Sequence, residues 1–289
     1  MKIEILGIKI DQVNLPEALK LIKKWLTAEG QRQVVTINPE FVVAAQKDEV
    51  FRNILNNADL ATCDGAGLVW AAKFLKQEKL ERVTGVDLIE ALLSCHPEEP
   101  GQMTGQRGDP TGLPPVSPSL GGRSLALPRN DIYKIYLLGG KEGAAKQVAE
   151  KYIGKVAGFD QGGPLLQCHP EAGEAGRGDP IENKCWQFEN NNQVLEKINA
   201  SEANILLVAL PQVRQEKWIR DNLAKVPKIK VAIGVGGTFD FLSGQVRRAP
   251  LFLRRLGLEW LYRLIQEPRR LSRIYNATIK FGWLVVKKK

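Results

Sequence analysis

The 289-residue sequence contains no Gly-x-Gly-x-x-Gly, no Walker A motif and no Asp-x-Asp. The first two absences take support away from dinucleotide binding and ATP hydrolysis. The third leaves nothing that announces a divalent cation held on a nucleotide diphosphate. Cysteine is scarce: Cys63, Cys95, Cys168 and Cys185 make no disulfide framework in a chain of this size. The two histidines, His96 and His169, each follow a cysteine, so Cys95-His96 and Cys168-His169 offer four zinc ligands on paper. Adjacent Cys-His is not the usual ligand spacing, and no metal is expected. No apolar run approaches the roughly 20 residues that cross a bilayer. Met1-Lys-Ile-Glu-Ile-Leu-Gly has no stretch of signal-peptide length, which points to cytoplasmic residence.

What is present is an uneven charge. From Arg247 to Lys289 there are twelve basic residues against Glu259 and Glu267, while the whole chain carries +9, so the body before Arg247 is nearly neutral. Eight of the twelve are arginines: Arg247, Arg248, Arg254, Arg255, Arg263, Arg269, Arg270 and Arg273. They interleave with Leu, Phe, Trp and Tyr, and Leu271, Ile274, Thr278, Phe281 and Val285 recur at helical spacing on one face. Cations beside such a face suit an interfacial helix on an anionic membrane, here the inner face of the plasma membrane. Two other readings stay open: a helical cap packed on the body, and a nucleic-acid surface, the least favoured. A second copy of the chain is a further candidate cover for exposed apolar residues. The expected division is residues 1–246 as an α/β domain and 247–289 as a membrane-association appendage.

Residues 96–130 hold seven prolines and six glycines, and 163–186 add three prolines. They resemble each other: Cys95-His-Pro-Glu leads to Arg107-Gly-Asp-Pro, and Cys168-His-Pro-Glu leads to Arg177-Gly-Asp-Pro. They read as related, irregular insertions into an older domain.

Between them, strand and helix patterns alternate. Gln33–Ile37, Ala58–Thr62, Asp131–Leu138, Asn204–Leu210 and Lys228–Gly234 read as strands, with helices at Glu40–Asn56, Gly65–Lys76, Glu142–Tyr152 and Arg214–Ala224. This predicts a Rossmann-like α/β fold, a largely parallel sheet with helices on both faces, whose ligands bind beyond the strands' carboxyl ends. Thr36, Asn38, Asp64, Gly139-Gly140, Gln215-Glu216 and Gly236-Gly237 fall there. Gly139-Gly140 suits either a diphosphate or merely a tight turn. Asp64, flanked by glycine and apolar residues, is either a general base with a raised pKa or the N-cap of the next helix. Arg82 is either an anion clamp or one half of a surface ion pair.

Thr36-Ile-Asn-Pro-Glu, Ala58-Asp-Leu-Ala-Thr-Cys-Asp-Gly-Ala-Gly, Arg82-Val-Thr-Gly-Val-Asp, Tyr136-Leu-Leu-Gly-Gly, Arg214-Gln-Glu-Lys-Trp-Ile and Gly234-Val-Gly-Gly-Thr-Phe-Asp-Phe occur in that order. With Leu256-Gly-Leu-Glu-Trp-Leu-Tyr-Arg-Leu and Glu267-Pro-Arg-Arg, the set resembles the WecG/TagA/CpsF glycosyltransferases. The resemblance implies transfer of a sugar, typically N-acetylmannosamine, from a UDP-sugar to an undecaprenyl-diphosphate-linked N-acetylglucosamine. It implies inversion at the anomeric carbon, no metal and no other cofactor. Carried over, Asp64 is the base; Thr36, Asn38 and Arg82 line the acceptor side. Gly139, Gly140, Gln215, Glu216 and Asp240 face the UDP-sugar, and the tail arginines meet the lipid diphosphate or anionic lipids.

Two departures stand out. The family usually has Gly-x-Pro-x-Gln-Glu, where this chain has Pro211 for the Gly and Val213 for the Pro. A Gly-Tyr-Phe expected after the strand near Gly158 is missing: Gly162-Gly163 runs into the second insertion, and Phe188 comes only later. These departures leave an alternative function, a degenerate relative that binds UDP or lipid without turnover.

Overall fold

The computed structural model describes residues 1–77, 79–94, 133–165 and 186–288. The Cys95-His96 and Cys168-His169 pairs lie outside them, as do all of the 96–130 window and most of 163–186. Eight strands are described: β1 (Lys2–Ile5), β2 (Ile8–Asp11), β3 (Arg32–Ile37), β4 (Leu60–Cys63), β5 (Ile135–Gly139), β6 (Val156–Asp160), β7 (Ile205–Ala209) and β8 (Val231–Gly234). The last six form one sheet in the order β4-β3-β8-β7-β5-β6, every pairing parallel. β1 and β2 form a separate antiparallel hairpin.

The body helices are α1 (Leu15–Leu26), α2 (Pro39–Ala45), α3 (Glu49–Asn57), α4 (Ala66–Phe74), α5 (Gly85–Ser94), α6 (Ala144–Lys151), α7 (Asn191–Ala200), α8 (Arg214–Asn222) and α9 (Thr238–Leu242). Successive strand residues point to opposite faces, and both faces are covered. Val34, Leu60, Leu207 and Ile233 pack with α1, α5, α6 and α9. Val35 and Ala61 pack with α2, α3, α4 and the hairpin; Leu206 and Ala232 pack with α7 and α8. The expected α/β architecture with helices on both faces is what the chain adopts.

The continuous helix expected over 40–56 is two helices. Asp48 adopts an extended backbone and its side chain accepts from the Phe51 N–H, so a cap restarts the helix as α3. The Pro39/Asn38 start is as expected, with the Asn38 side chain accepting from Phe41 N–H.

The second insertion leaves and returns at one place. Leu165 bridges Phe188, and the Glu189 N–H donates to the Pro164 carbonyl at 2.9 Å. Phe188 is buried against Trp218 of α8, ring centroids 6.1 Å apart.

The C-terminal segment comprises α10 (Leu251–Arg255), α11 (Glu259–Gln266), α12 (Leu271–Tyr275), a π-turn over Asn276–Lys280 and α13 (Phe281–Lys288). Phe281 and Val285 are buried in the body's core and Ile274 and Thr278 face the cavity, so this face packs inward rather than toward a membrane. Leu271 does not belong to it: it is exposed, together with Tyr275, Ile279, Trp283 and Val286. The π-turn lets one helical rod carry two apolar stripes. Eleven of the sixteen exposed large apolar side chains of the described residues lie between Leu251 and Val286.

Candidate active site

A cavity of about 420 Å³ opens beyond the carboxyl ends of β3, β4 and β8, where the chain switches from one half of the sheet to the other. Its floor is the body and its roof is α11 to α13. Thr36 is the last residue but one of β3; its Oγ1 donates to the Gly234 carbonyl at 3.2 Å and so ties β3 to β8 under the cavity. Asn38 lines the same wall while capping α2.

Asp64 follows β4 and lines the cavity. It does not cap α4: Gly65 occupies that position, with φ at 148°, and no side chain caps the helix there. Instead Asp64 Oδ2 accepts the Gly85 N–H at 3.1 Å, at the first residue of α5. Burial pushes its carboxyl up from 3.8 to about 6; the Gly85 N–H and Arg82 oppose the rise, and Glu259 and Asp87 add to it.

Arg82 is an ion pair, but not a surface one. Its guanidinium donates to Glu259 Oε2 at 2.6 Å and to the Arg254 carbonyl at 3.1 Å. Arg248 meets Asp87 at 2.7 Å, Glu90 at 3.5 Å and Glu259 at 3.4 Å. Arg273 pairs with Glu40 at 3.0 Å, and Arg270 with Glu267. Arg263 lies over the Phe241 ring at 4.6 Å, with Nη2 buried and without a hydrogen-bond partner. Four of the eight tail arginines, Arg248, Arg263, Arg270 and Arg273, therefore line the cavity. Arg247 and Arg269 are exposed, and Arg254 lines a neighbouring groove. Arg255 has no described side chain.

Gln215 lines the cavity; Gly139, Gly140, Glu216 and Asp240 do not. Gly139 and Gly140 have φ of 88° and 94°, and a Cβ on Gly139 would stand 2.6 Å from the Ala209 carbonyl, so the pair serves the turn between packed strands. Asp240 is buried and pairs with Lys141 at 3.4 Å. Glu216 has no exposed surface. Among the described residues no group of three or more His, Cys, Asp or Glu is placed to hold a metal.

The family profile described as Glycosyl transferase WecG/TagA/CpsF family matches residues 3–104 and 120–289. The chain belongs to this family. As a glycosyltransferase of the WecG/TagA/CpsF type it acts on a sugar donor and an acceptor. The break in the match, 105–119, falls inside the first Pro/Gly-rich window. Among its described residues no helix is long and apolar enough to cross a membrane.

The cavity also holds residues that sequence reasoning passed over. Glu40 and Glu259 sit inside the motifs Thr36-Ile-Asn-Pro-Glu and Leu256-Gly-Leu-Glu-Trp, yet their partners are arginines far away in sequence. Trp70, half-exposed at the cavity wall and stacked on Phe74, looked like an ordinary helix residue. Membership of a shared motif was the available signal for both acids.

Proposed function

We propose that this glycosyltransferase moves N-acetylmannosamine from its UDP form to N-acetylglucosamine carried on undecaprenyl diphosphate, with inversion. This is a step in building a cell-wall polymer such as teichoic acid. The observation that carries the reading is Asp64: a carboxyl at the cavity wall, raised to about 6, that is ionised at neutral pH and still basic enough to take a proton.

Asp64 removes the proton from the acceptor hydroxyl as its oxygen attacks the anomeric carbon. The bond to UDP breaks on the opposite face, and UDP leaves with the electron pair. Charge develops on the departing diphosphate, and Arg263, with its unpaired Nη2, and Arg270 stand at the cavity wall to meet it. Thr36, Asn38 and Arg82 hold the acceptor, and Gln215 the nucleotide sugar. A polyprenyl acceptor stays in the bilayer, so the enzyme comes to it. The exposed stripe Leu271, Tyr275, Ile279, Trp283 and Val286, flanked by Arg269, Lys287 and Lys288, suits that docking. Each surface-proximal cation is worth about 1 kcal/mol on anionic lipid.

The test is UDP release from UDP-N-acetylmannosamine with a short-chain polyprenyl-diphosphate N-acetylglucosamine. Release that needs the acceptor and drops about 10²- to 10⁴-fold in Asp64→Asn is the expected result. UDP binding without release, also with UDP-glucose and UDP-N-acetylglucosamine as donors, would instead mark a binding-only relative.

A further inference from the structure

Gln215 and Glu216 are neighbours at the start of α8 with different fates. Gln215 reaches the cavity although it is 2% exposed; Glu216 is 0% exposed and lies beneath it. The Gln215 amide Nε2 donates to Glu216 Oε1 at 2.6 Å. That bond leaves the Gln215 Oε1 facing the other way, where it accepts the Gly236 N–H at 2.9 Å. Gly236 and Gly237 line the cavity, and Gly236 adopts φ of 51°. A primary amide has two orientations of similar shape, and a carboxylate, which only accepts, selects one of them.

The packing around the pair has no slack. A Cβ on Gly234 would stand 2.6 Å from Glu216 Oε1 and 2.7 Å from Gln215 Nε2. The Gly234 carbonyl is the one that accepts from Thr36. A buried carboxyl is costly, and Glu216 Oε2 has no hydrogen-bond partner, so a group kept there without a role would be unfavourable. Burial raises it to about 7, and the hydrogen bond from the Gln215 amide offsets part of the rise.

We infer that Glu216 is a positioning residue. Without touching substrate, it sets the Gln215 amide and, through it, the Gly236-Gly237 turn that receives the donor nucleotide. The nucleotide part rests on the proposed function; the relay itself does not.

The experiment uses the full chain and three variants: Glu216→Gln, which still offers an acceptor oxygen, Glu216→Met, which offers none, and Gly234→Ala, which wedges the pair apart without changing either side chain. Two quantities are read: the Kd for UDP, and hydrogen exchange of the Gly236 amide against the Ile219 amide in α8. Glu216→Met and Gly234→Ala are expected to weaken UDP about tenfold and to speed Gly236 exchange by a similar factor, with Ile219 unchanged. Glu216→Gln is expected within threefold of wild type in both. Should Glu216→Met fail to fold, Gly234→Ala decides. Unchanged Gly236 exchange, or acceleration shared by Ile219, overturns the relay, the latter because it reports loosening of α8. A wild-type chain that binds no UDP removes the donor reading, and the exchange comparison still decides the relay.

Discussion

Arg82 and Glu259 meet at 2.6 Å in the cavity wall, one from the loop before α5 and the other from the first residue of α11. Both lie close enough to Asp64 to move its titration, in opposite directions. Arg82→Gln should therefore move the acid limb of kcat/KM to higher pH, and Glu259→Gln to lower pH. A pH–rate profile of the two variants checks the signs; limbs that move together would remove Asp64 as the titrating base.

Asp64 also bears on stability. Its folded pKa of about 6 stands above the ordinary 3.8, so the fold prefers the protonated form. That preference is fully present below pH 3.8 and lost as pH rises through about 6. Above that the fold bears the whole cost of the buried charge, on the order of 2–3 kcal/mol. Asp64→Asn should raise the melting temperature at pH 8 while turnover falls about 10²- to 10⁴-fold, with the stability gain vanishing below pH 4. Thermal unfolding across that range is the measurement.

Most of the sheet was legible because its strands are apolar runs bounded by Gly, Pro and Asn; β3, β4, β5, β7 and β8 fall within their predicted spans or one residue outside. Strand ends then placed Thr36, Asn38, Asp64 and Gln215 together, since all parallel strands deliver their ends to one side. The break at Asp48 was passed over although two signals mark it: Asp48 is a good N-cap residue, and the buried positions move round the helix across it, from Phe41, Val42 and Ala45 to Phe51, Ile54 and Leu55. Glu216 was grouped with Gln215 by adjacency, but neighbours on a helix point about 100° apart, and only one reaches the cavity. The tail's inward turn was hidden as well: a helix with two apolar stripes looks the same in sequence whichever stripe docks.

Val213 shows where the departure at 211–213 leads. It adopts φ of 70°, a region that β-branched residues avoid, at the N-cap of α8. Val213→Ala and Val213→Gly lose nearly the same packing, but Ala keeps a Cβ in the unfavourable region. Gly should therefore be the more stable of the two by about 1 kcal/mol, the reverse of the usual penalty for Gly. Chemical denaturation of both variants decides it, and equal stability would mean that the backbone relaxes at no cost.

The two stripes of the C-terminal rod make opposite predictions. Phe281 is 1% exposed and packed into the core cluster beside Gly67, so Phe281→Ala should cost about 3–5 kcal/mol. Ile279 and Trp283, 62% and 59% exposed, contribute little to the fold, and Ile279→Glu with Trp283→Glu should change stability by no more than about 0.5 kcal/mol each. On anionic vesicles the order reverses. The double variant should lose co-sedimentation, because two carboxylates replace apolar side chains at the acyl boundary and repel the headgroups. Its turnover on a short-chain, water-soluble acceptor should stay near wild type, since neither residue lines the cavity. Vesicle binding unchanged in the double variant would assign the exposed stripe to a second protein copy instead, and sedimentation velocity in the absence of lipid would then show the dimer dissociating on the same substitutions.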